Sequence, residues 1–300
     1  MNDSKLKIWI SALRIHQWAK NILIFIPLLL SHNFMELELI ISSVMAFFSF
    51  SLVASANYLF NDLIDLDFDK HHPTKRNRPL ASGRLPVYHG WLAILLLLGI
   101  SFIIISYLPF LFFVSVVIYL LVSILYSTVL KRLIIVDIII LAGLYTIRIA
   151  SGGFAVEVTA TFWLLAFSMF LFFSLAIVKR VSELELFKSS NFKFDNNGWL
   201  HGRCYQLEDL PILNSLGSGA GLLSVLIFAL YINSLEIKAL YKTPEILWFI
   251  LPVFLYWISR IWLLASKGLV NEDPVVFALH DRASLLISII LIVFLWLATL

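Results

Sequence analysis

The sequence predicts an all-α membrane protein, a polytopic bundle of about nine transmembrane helices. Of its 300 residues, 61% are hydrophobic and only 14% are charged, a balance that favours a protein embedded in lipid over a soluble globular one. Apolar segments long enough to cross a bilayer recur along the whole chain. We therefore expect one integral membrane domain over residues 1–300, without a separate soluble domain.

Nine apolar segments account for this prediction, taken in order along the chain. The second of them leads directly into an acidic sequence, and the fourth and sixth each end in a pair of basic residues. The predicted spans are 21–35, 39–60, 89–107, 109–128, 133–150, 160–178, 212–233, 245–264 and 284–300.

The distribution of basic residues predicts how these spans are oriented. With the N-terminus in the cytoplasm, nineteen of the 22 Lys and Arg residues fall in inner segments, as the positive-inside rule requires. The long inner loops, 61–88, 179–211 and 265–283, then place the active site at the cytoplasmic face of the inner (plasma) membrane. The net charge of +3 reflects this topology and gives no argument for nucleic acid as a partner.

The acidic sequence after the second span has the spacing of a metal site. If the helix continues through it, Asp62, Asp65 and Asp69 fall within an arc of about 60°. Asn61 lies at the edge of that arc, and Asp67 points to the opposite side. Carboxylates on one face repel each other, and Mg²⁺ compensates them with oxygen ligands, usually together with substrate phosphates. We therefore interpret the three aligned aspartates as catalytic metal ligands; a solvated loop of mixed charge is the alternative.

A basic run follows the acidic sequence and is expected to hold the remaining phosphate charge. Lys75, Arg76 and Arg78 supply cations for charge-assisted hydrogen bonds to phosphate oxygens. Together with Asn61, they are the predicted substrate-binding residues of this loop.

The end of the sixth span carries a second group of charges. We interpret Lys179 and Arg180 as contacts to substrate phosphates, with Glu183 adding a carboxylate near the metal. The alternative is a local ion pair between Lys179 and Glu183, which are four residues apart on one helix face.

Two further sets of residues are candidates for the substrate site because they lie at the same predicted face. Tyr126 and Lys131 end the fourth span, and Lys20 and Asn21 precede the first. The alternatives are that Lys131 only determines topology and that the segment around Lys20 is an interfacial anchor.

Two ionisable residues lie inside the fifth span. Each costs at least about 2.5 kcal/mol in hydrocarbon, so both should face a bundle interior or a cavity. Asp137 lies near the cytoplasmic end, where it can line the site. Arg148 is expected to link its helix to another.

The acidic sequence resembles the first motif of the UbiA superfamily of intramembrane prenyltransferases, Asn-Asp-x-x-Asp-x-x-x-Asp. Asn61, Asp62, Asp65 and Asp69 match it at the end of the second span, and the nine-span layout resembles the family's helical fold over nearly the whole chain. The second motif differs, because members that use prenyl diphosphates usually carry another Asp-rich run where this chain reads Lys-Arg-Val-Ser-Glu-Leu-Glu over 179–185.

That second segment is similar to the subgroup of decaprenyl-phosphate phosphoribosyltransferases, as are segments 14–21, 72–79, 147–148 and 281–282. The resemblance implies Mg²⁺-dependent transfer of 5-phosphoribosyl from phosphoribosyl diphosphate to a polyprenyl (decaprenyl-type) phosphate, with release of diphosphate. The implied partners are these two substrates and the bilayer, and a homo-oligomer is compatible with the sequence.

Two other functions stay open at this point. One is prenyl transfer from a polyprenyl diphosphate to an aromatic or other acceptor, with the same metal site. The other is transport of an anionic lipid or metabolite, with the acidic sequence as a cation site. An odd number of spans and the lack of an evident repeat between halves argue against transport.

Overall fold

The computed structural model describes residues 4–31, 35–71, 75–189, 205–270 and 273–300. Within these ranges all regular secondary structure is helical, which confirms the predicted all-α class. The chain divides into two compact units. The N-terminal unit comprises Met1–Leu130 and Ile147–Ala160, and the C-terminal unit comprises Lys131–Thr146 and Thr161–Leu300.

The helices of both units are numbered here in chain order. The α-helices are α1 (Lys5–Ala12), α2 (Ile26–Leu30), α3 (Leu37–Ile64), α4 (Leu66–His71), α5 (Val87–Ile105), α6 (Phe110–Thr128), α7 (Val136–Ala155), α8 (Phe162–Ser189), α9 (Leu210–Ile232), α10 (Leu235–Leu240), α11 (Ile250–Ala265), α12 (Pro274–His280) and α13 (Arg282–Thr299). Short 3₁₀ segments cover Ile15–Phe25, Lys75–Asn77, Leu130–Arg132, Leu207–Asp209 and Pro244–Phe249.

Among the described residues, eight helices are long and apolar enough to cross a membrane. They correspond to the second to ninth predicted spans. Many of their large apolar side chains are exposed, such as Leu95, Ile103 and Ile292. Exposed apolar surface on this scale indicates a lipid environment, and the chain is a multi-span membrane protein.

The first predicted span, 21–35, is placed wrongly. The apolar segment is Ile15–Leu30, which starts earlier because polar side chains in it are satisfied by α3. Trp18 Nε1 donates to Ser55 Oγ at 2.9 Å, and Asn21 Nδ2 donates to Ser51 Oγ at 2.9 Å. With a 3₁₀ rise of about 2.0 Å per residue over most of its length, the segment reaches roughly 30 Å, so the nine-helix layout holds approximately.

In the N-terminal unit, α3 packs against α5, α6 and the 3₁₀ segment that precedes α2. Its buried face is rich in Ser and Ala, which lets neighbouring backbones approach closely. The second half of α7 joins this packing through Gly152, where an added Cβ would lie 2.0 Å from the carbonyl oxygen of Ile24. Only glycine fits that position.

The C-terminal unit is built on α8 and α9, with α11 packed against both. Trp262 Nε1 donates to Ser174 Oγ at 3.0 Å, and the Ser174 hydroxyl donates to the Gly217 carbonyl at 2.7 Å. A Cβ at Gly217 would lie 2.2 Å from the Trp262 ring. The indole therefore requires a glycine here, and the contact fixes the spacing of three helices.

Candidate active site

The acidic sequence lies at the junction of α3 and α4 in the N-terminal unit. The two helices are separated by Asp65 alone. Its N–H donates to the Asn61 carbonyl at 2.9 Å, and the N–H of Asp69 donates to the Asp65 carbonyl at 2.8 Å. Because these bonds have helical spacing, the junction keeps the helical phase expected from the sequence.

Burial separates Asp62 and Asp69 from Asp67 as that phase requires, and Asp65 is half-buried. Asp62 and Asp69 are 4% and 2% exposed. The Asp67 side chain is 90% exposed and pairs with Lys70 at 3.1 Å. The two buried carboxylates are thus on the inner side of the junction, and Asp67 is in solvent.

Arg78 connects the two buried carboxylates. Its Nη1 lies 3.0 Å from Asp62 Oδ1 and 2.5 Å from Asp69 Oδ2. One cationic nitrogen is therefore in bonding range of oxygens from both aspartates, so the two oxygens converge on a single cation position. The Arg78 side chain is 26% exposed, so the residue that bridges the two carboxylates is in partial contact with solvent.

Arg14 is a second cation at this cluster, and the sequence reasoning did not select it. Its Nη2 lies 2.5 Å from Asp62 Oδ1, and its guanidinium lies over the Tyr58 ring at 5.1 Å from the centroid. Its backbone has φ 50° and ψ 48°, a left-handed conformation that is uncommon for a residue with a side chain. Arg14 and Asp62 are 48 positions apart in the sequence, so no spacing rule could have paired them.

The carboxylate oxygens of the junction suit a Mg²⁺ ion that is bound together with a phosphate group. Within the described residues, no group of three or more His, Cys, Asp or Glu side chains could hold a metal ion alone. Two convergent carboxylate oxygens do occur, on Asp62 and Asp69. Mg²⁺ is commonly bound by one or two carboxylates, with phosphate oxygens and water completing its octahedron.

Two other residues singled out from the sequence, Asn21 and Arg148, lie in the interior of the N-terminal unit. Asn21 is buried, and its side chain bonds Ser51 and accepts from Arg148 Nε at 2.9 Å. Arg148 also donates to the Tyr119 hydroxyl at 3.0 Å. Arg148 thus links its helix to others, as predicted. Because the Asn21 side chain is bonded to Arg148 and Ser51 in the interior, the expectation that Asn21 contacts substrate is corrected to a structural role.

The remaining candidates of this unit differ in accessibility. Lys20 is buried, Asn61, Lys75 and Tyr126 are half-buried, and Arg76 is exposed. Part of the segment that carries the subgroup resemblance, residues 72–74, lies outside the described residues.

In the C-terminal unit, Arg180 forms a fully buried ion cluster. Its side chain and that of Asp137 are both 0% exposed, with Nε 2.8 Å from Asp137 Oδ2. Nη1 lies 2.6 Å from Glu183 Oε2. A buried guanidinium that already bonds two carboxylates has no face for a phosphate, so the predicted phosphate contact of Arg180 is corrected to a structural one. The carboxylate of Glu183 is likewise bonded to Arg180.

Tyr205 completes this cluster from the segment before α9. Its hydroxyl donates to Asp137 Oδ1 at 2.6 Å and accepts from the N–H of Ile135 at 2.8 Å. Burial, and then the hydrogen bond to Asp137, raise the pKa of Tyr205 above its usual value. Ile135 has φ 65°, a strained conformation for a β-branched residue, which this hydrogen bond helps to hold.

Lys179, next to Arg180 in the sequence, is partly accessible. Its side chain is 29% exposed, and Nζ lies 3.4 Å from Asp273 Oδ2. Asp273 also accepts from the Tyr145 hydroxyl at 2.8 Å and from the N–H of Val275, the latter as the N-cap of α12. Sequence reasoning selected Lys179 but missed Asp273 and Tyr145, which are distant from it in sequence. Lys131, the other candidate here, is half-buried.

Comparison with known sequences decides the family. The profile described as the UbiA prenyltransferase family matches residues 22–269. This chain belongs to the UbiA prenyltransferase family. The match includes the whole acidic junction, so the motif that carried the resemblance lies within the UbiA region of the chain.

Several curated proteins are similar to this UbiA chain. The protein y4nM of Sinorhizobium fredii is 36% identical over 93% of the chain, which spans about half (53%) of its length. The nodulation protein NoeC of Azorhizobium caulinodans is 31% identical over 91% of the chain and 87% of its own length. Decaprenyl-phosphate phosphoribosyltransferase of Mycobacterium tuberculosis is 36% identical, over 59% of the chain and 60% of that protein.

Solved structures with the UbiA fold resemble this structure along nearly its full length. A UbiA homolog from Archaeoglobus fulgidus bound to GPP and Mg²⁺ has a TM-score of 0.69 at 16% identity, covering 97% of this chain and 99% of that one. A digeranylgeranylglyceryl phosphate synthase has a TM-score of 0.64 at 18% identity, covering 98% and 97% of the two chains. At these identities the likeness shows the fold.

Proposed function

We propose that the protein transfers 5-phosphoribosyl from phosphoribosyl diphosphate to a polyprenyl (decaprenyl-type) phosphate, with Mg²⁺, and releases diphosphate. The observation that carries the proposal is the convergence of Asp62 and Asp69 on one cation position beside Arg14 and Arg78. Such a cluster suits an anionic, metal-bound leaving group. The similarity to decaprenyl-phosphate phosphoribosyltransferases supports the choice of donor.

Asp62 and Asp69 would hold the metal, and Asp65, between them on the junction, is the third proposed ligand. When bound, Mg²⁺ supplies positive charge that neutralises the leaving diphosphate. Arg78, Lys75 and Arg76 would bind phosphate oxygens that the metal does not reach. Asn61 orients the same group by hydrogen bonding in this proposal.

The reaction breaks the bond between the ribosyl C1 and the diphosphate oxygen, and the electron pair leaves with diphosphate. A phosphate oxygen of the lipid forms the new bond to C1. Because this oxygen is already anionic, no side chain has to remove a proton. The protein's contribution is chiefly to position two anions and to compensate their charge.

In the C-terminal unit, Lys179 is the proposed contact to a substrate phosphate. It is partly exposed, and Asp273 and Tyr145 hold its surroundings in place. Lys131, Lys20 and Tyr126 are proposed as secondary contacts. In this proposal Arg180 and Glu183 have a structural role, because their ion pairs hold the end of α8 in place.

The lipid acceptor explains why such a site belongs in a membrane protein. A polyprenyl tail needs an apolar surface open to lipid, which the exposed Leu, Ile and Phe side chains of the spans provide in abundance. In this proposal the reaction takes place at the cytoplasmic face of the inner membrane, and the bias of Lys and Arg toward inner segments supports that side.

Prenyl transfer from a polyprenyl diphosphate is the second candidate. It is favoured by the similarity of the fold to a homolog solved with GPP and Mg²⁺. The carboxylates of the junction would serve both reactions, so the two candidates differ in the donor.

The two functions are separated by supplying each donor to purified protein with Mg²⁺ and measuring released diphosphate. Phosphoribosyl diphosphate with a polyprenyl phosphate is expected to give diphosphate and a phosphoribosylated lipid. Consumption of a polyprenyl diphosphate, with phosphoribosyl diphosphate ignored, would contradict the proposal and favour prenyl transfer. The variant Asp62→Asn controls for contaminating activity, since both reactions require the metal.

A further inference from the structure

Arg78 occupies the position to which the buried carboxylates of the junction point. A single nitrogen bonds both Asp62 and Asp69, at 3.0 and 2.5 Å. Two nearby carboxylates with little solvent around them repel each other. Arg78 therefore compensates charge that a metal ion would otherwise have to compensate.

A metal ion and Arg78 compete for the same oxygens. A guanidinium is also well suited to a diphosphate, because its fork of N–H donors matches phosphate oxygens. Arg78 must leave the carboxylates when metal binds, and its guanidinium is suited to bind the diphosphate that arrives with the metal. The partial exposure of its side chain gives it room to move.

Arg14 differs from Arg78 in ways that mark it as fixed. It contacts one carboxylate, Asp62, and it stacks on Tyr58. Its left-handed backbone is tied to the start of the 3₁₀ segment, where the Gln17 N–H donates to the Arg14 carbonyl at 2.7 Å. A residue held by its backbone, a ring and an ion pair keeps its place when one neighbour leaves.

We propose that Arg78 is an exchangeable counter-cation: it bridges Asp62 and Asp69 until a metal and a diphosphate arrive together, and then transfers its bonds to the diphosphate. Arg14 remains on Asp62 and keeps that carboxylate oriented, as a positioning residue. The inference rests on the proposed metal–diphosphate site, but not on the identity of the group attached to the diphosphate.

The exchange makes metal binding depend on diphosphate. Metal alone must displace Arg78, which then has no partner, so it binds weakly. With diphosphate present, Arg78 gains new acceptors as it leaves the carboxylates. Removing Arg78 is therefore expected to strengthen binding of the metal alone and to weaken binding of diphosphate.

The test measures both affinities on the full chain in nanodiscs, without turnover. Mn²⁺ binding is followed by electron paramagnetic resonance in the absence of phosphates, and binding of inorganic diphosphate is followed by calorimetry at saturating Mg²⁺. Arg78→Gln is expected to bind Mn²⁺ about tenfold more tightly than wild type and diphosphate about tenfold more weakly, a coupling of the usual size between linked sites. A residue with only a structural role would change both affinities in the same direction.

Matched variants make the outcome specific. Lys70→Gln removes a charge one residue from Asp69, but Lys70 pairs with the exposed Asp67, so its Mn²⁺ affinity should stay within about twofold of wild type. Arg78→Lys, which keeps the charge but has one nitrogen, should shift both affinities in the same senses as Arg78→Gln and by less. If Arg78→Gln does not fold, the Mn²⁺ and diphosphate affinities of Arg78→Lys provide the test.

Weaker or unchanged Mn²⁺ binding in the Arg78 variants would overturn the exchange. So would diphosphate binding equal to that of wild type. Both probes are independent of the ribosyl and prenyl groups. A protein that consumed prenyl donors only would contradict the proposed function while leaving this inference standing.

Discussion

Each unit of the molecule contains an aspartate paired with an arginine near a helix end, and the two pairs differ in how far water reaches them. In the N-terminal unit, the cations on Asp62 are 22% and 26% exposed. In the C-terminal unit, Arg180 and Asp137 are both fully buried. In our proposal, Arg78 can leave the first cluster for a diphosphate, because its side chain is partly exposed. Arg180 has no such route out of the second cluster, because a separated charge would stay in the interior.

Charged motifs that look alike in sequence can therefore differ in whether solvent reaches them in the fold. The charged sequences after α3 and within the end of α8 both follow an apolar span, and the sequence predicts a substrate site at each. Only the partly open cluster retains an accessible cation beside convergent carboxylates. Charge near a predicted active face is therefore weak evidence of binding unless the charges are accessible.

The largest effect on stability is expected from breaking the buried pair. Arg180→Met leaves Asp137 and Glu183 without their cation, and removing one partner of a buried ion pair typically costs about 3–5 kcal/mol. The midpoint of unfolding in detergent should fall strongly. Lys188→Met is the control, because Lys188 is exposed and its ion pair with Glu185 is long, at 3.9 Å. An equal fall in the unfolding midpoint in both variants would contradict the assigned role of Arg180.

A smaller effect, on binding, is expected at the neighbouring residue. Lys179→Met should weaken binding of phosphoribosyl diphosphate or polyprenyl phosphate by about 1.5–3 kcal/mol, the usual worth of a charged hydrogen bond. Equilibrium binding measures it, with a neutral polyprenol as the ligand that should be unaffected. If Lys179→Met lowers the unfolding midpoint as much as Arg180→Met and leaves binding intact, the two adjacent residues have the opposite roles.

A third ion pair is at least as exposed as the N-terminal one, with Arg260 24% and Asp281 13% exposed, and it extends the comparison to pH. Arg260 donates to both oxygens of Asp281 at 2.6 and 2.9 Å, and these bonds lower the pKa of Asp281 from 3.8 to about 2. A lowered pKa in the folded state means that the pair stabilises the fold above the unfolded pKa. This contribution is lost as the pH falls from about 4 to about 2.

Unfolding midpoints measured across that range test the pair. Wild type should lose stability with acid more steeply than Arg260→Gln, because the variant lacks the bonds that lower the pKa of Asp281. Parallel acid profiles for the two proteins would show that the pair contributes nothing to this dependence.

The smallest effect is expected at Asp67. This side chain is 90% exposed and lies on the side of the junction away from the buried aspartates. Asp67→Asn should change stability by no more than about 0.5 kcal/mol, as for other surface substitutions, and should be mild in turnover. Equal losses of turnover in Asp65→Asn and Asp67→Asn would show that helical phase does not govern the site.

The fold could be predicted from composition and hydropathy, because lipid imposes long apolar helices whatever their packing. The first span was misplaced for the complementary reason: Trp18 and Asn21 are satisfied by serines of α3, which a hydropathy profile cannot register. The motif spacing predicted that Asp62 and Asp69 share a side from which Asp67 points away, since helical phase is a local property. The place of Asp65 among the metal ligands stays a prediction.

Long-range partners could not be predicted. Arg14 reaches Asp62, and Tyr145 and Lys179 meet at Asp273, through packing that joins distant parts of the chain. The burial of Arg180 had no local signal either, because it depends on Asp137 and Tyr205. Sequence spacing locates charges on one helix but does not show which other helices neutralise them.

Two equivalent substitutions test whether the N-terminal cluster serves chemistry and the C-terminal cluster serves structure. Asp62→Asn and Asp137→Asn each exchange a buried carboxylate for an amide of the same shape. The one measurement is diphosphate release per folded molecule, with the folded fraction taken from the unfolding transition of the same sample. Asp62→Asn should stay folded and lose at least about 100-fold in turnover, whereas Asp137→Asn should lose folded protein but retain turnover in the fraction that remains. The reverse pattern, or equal loss of turnover in both, would contradict the account.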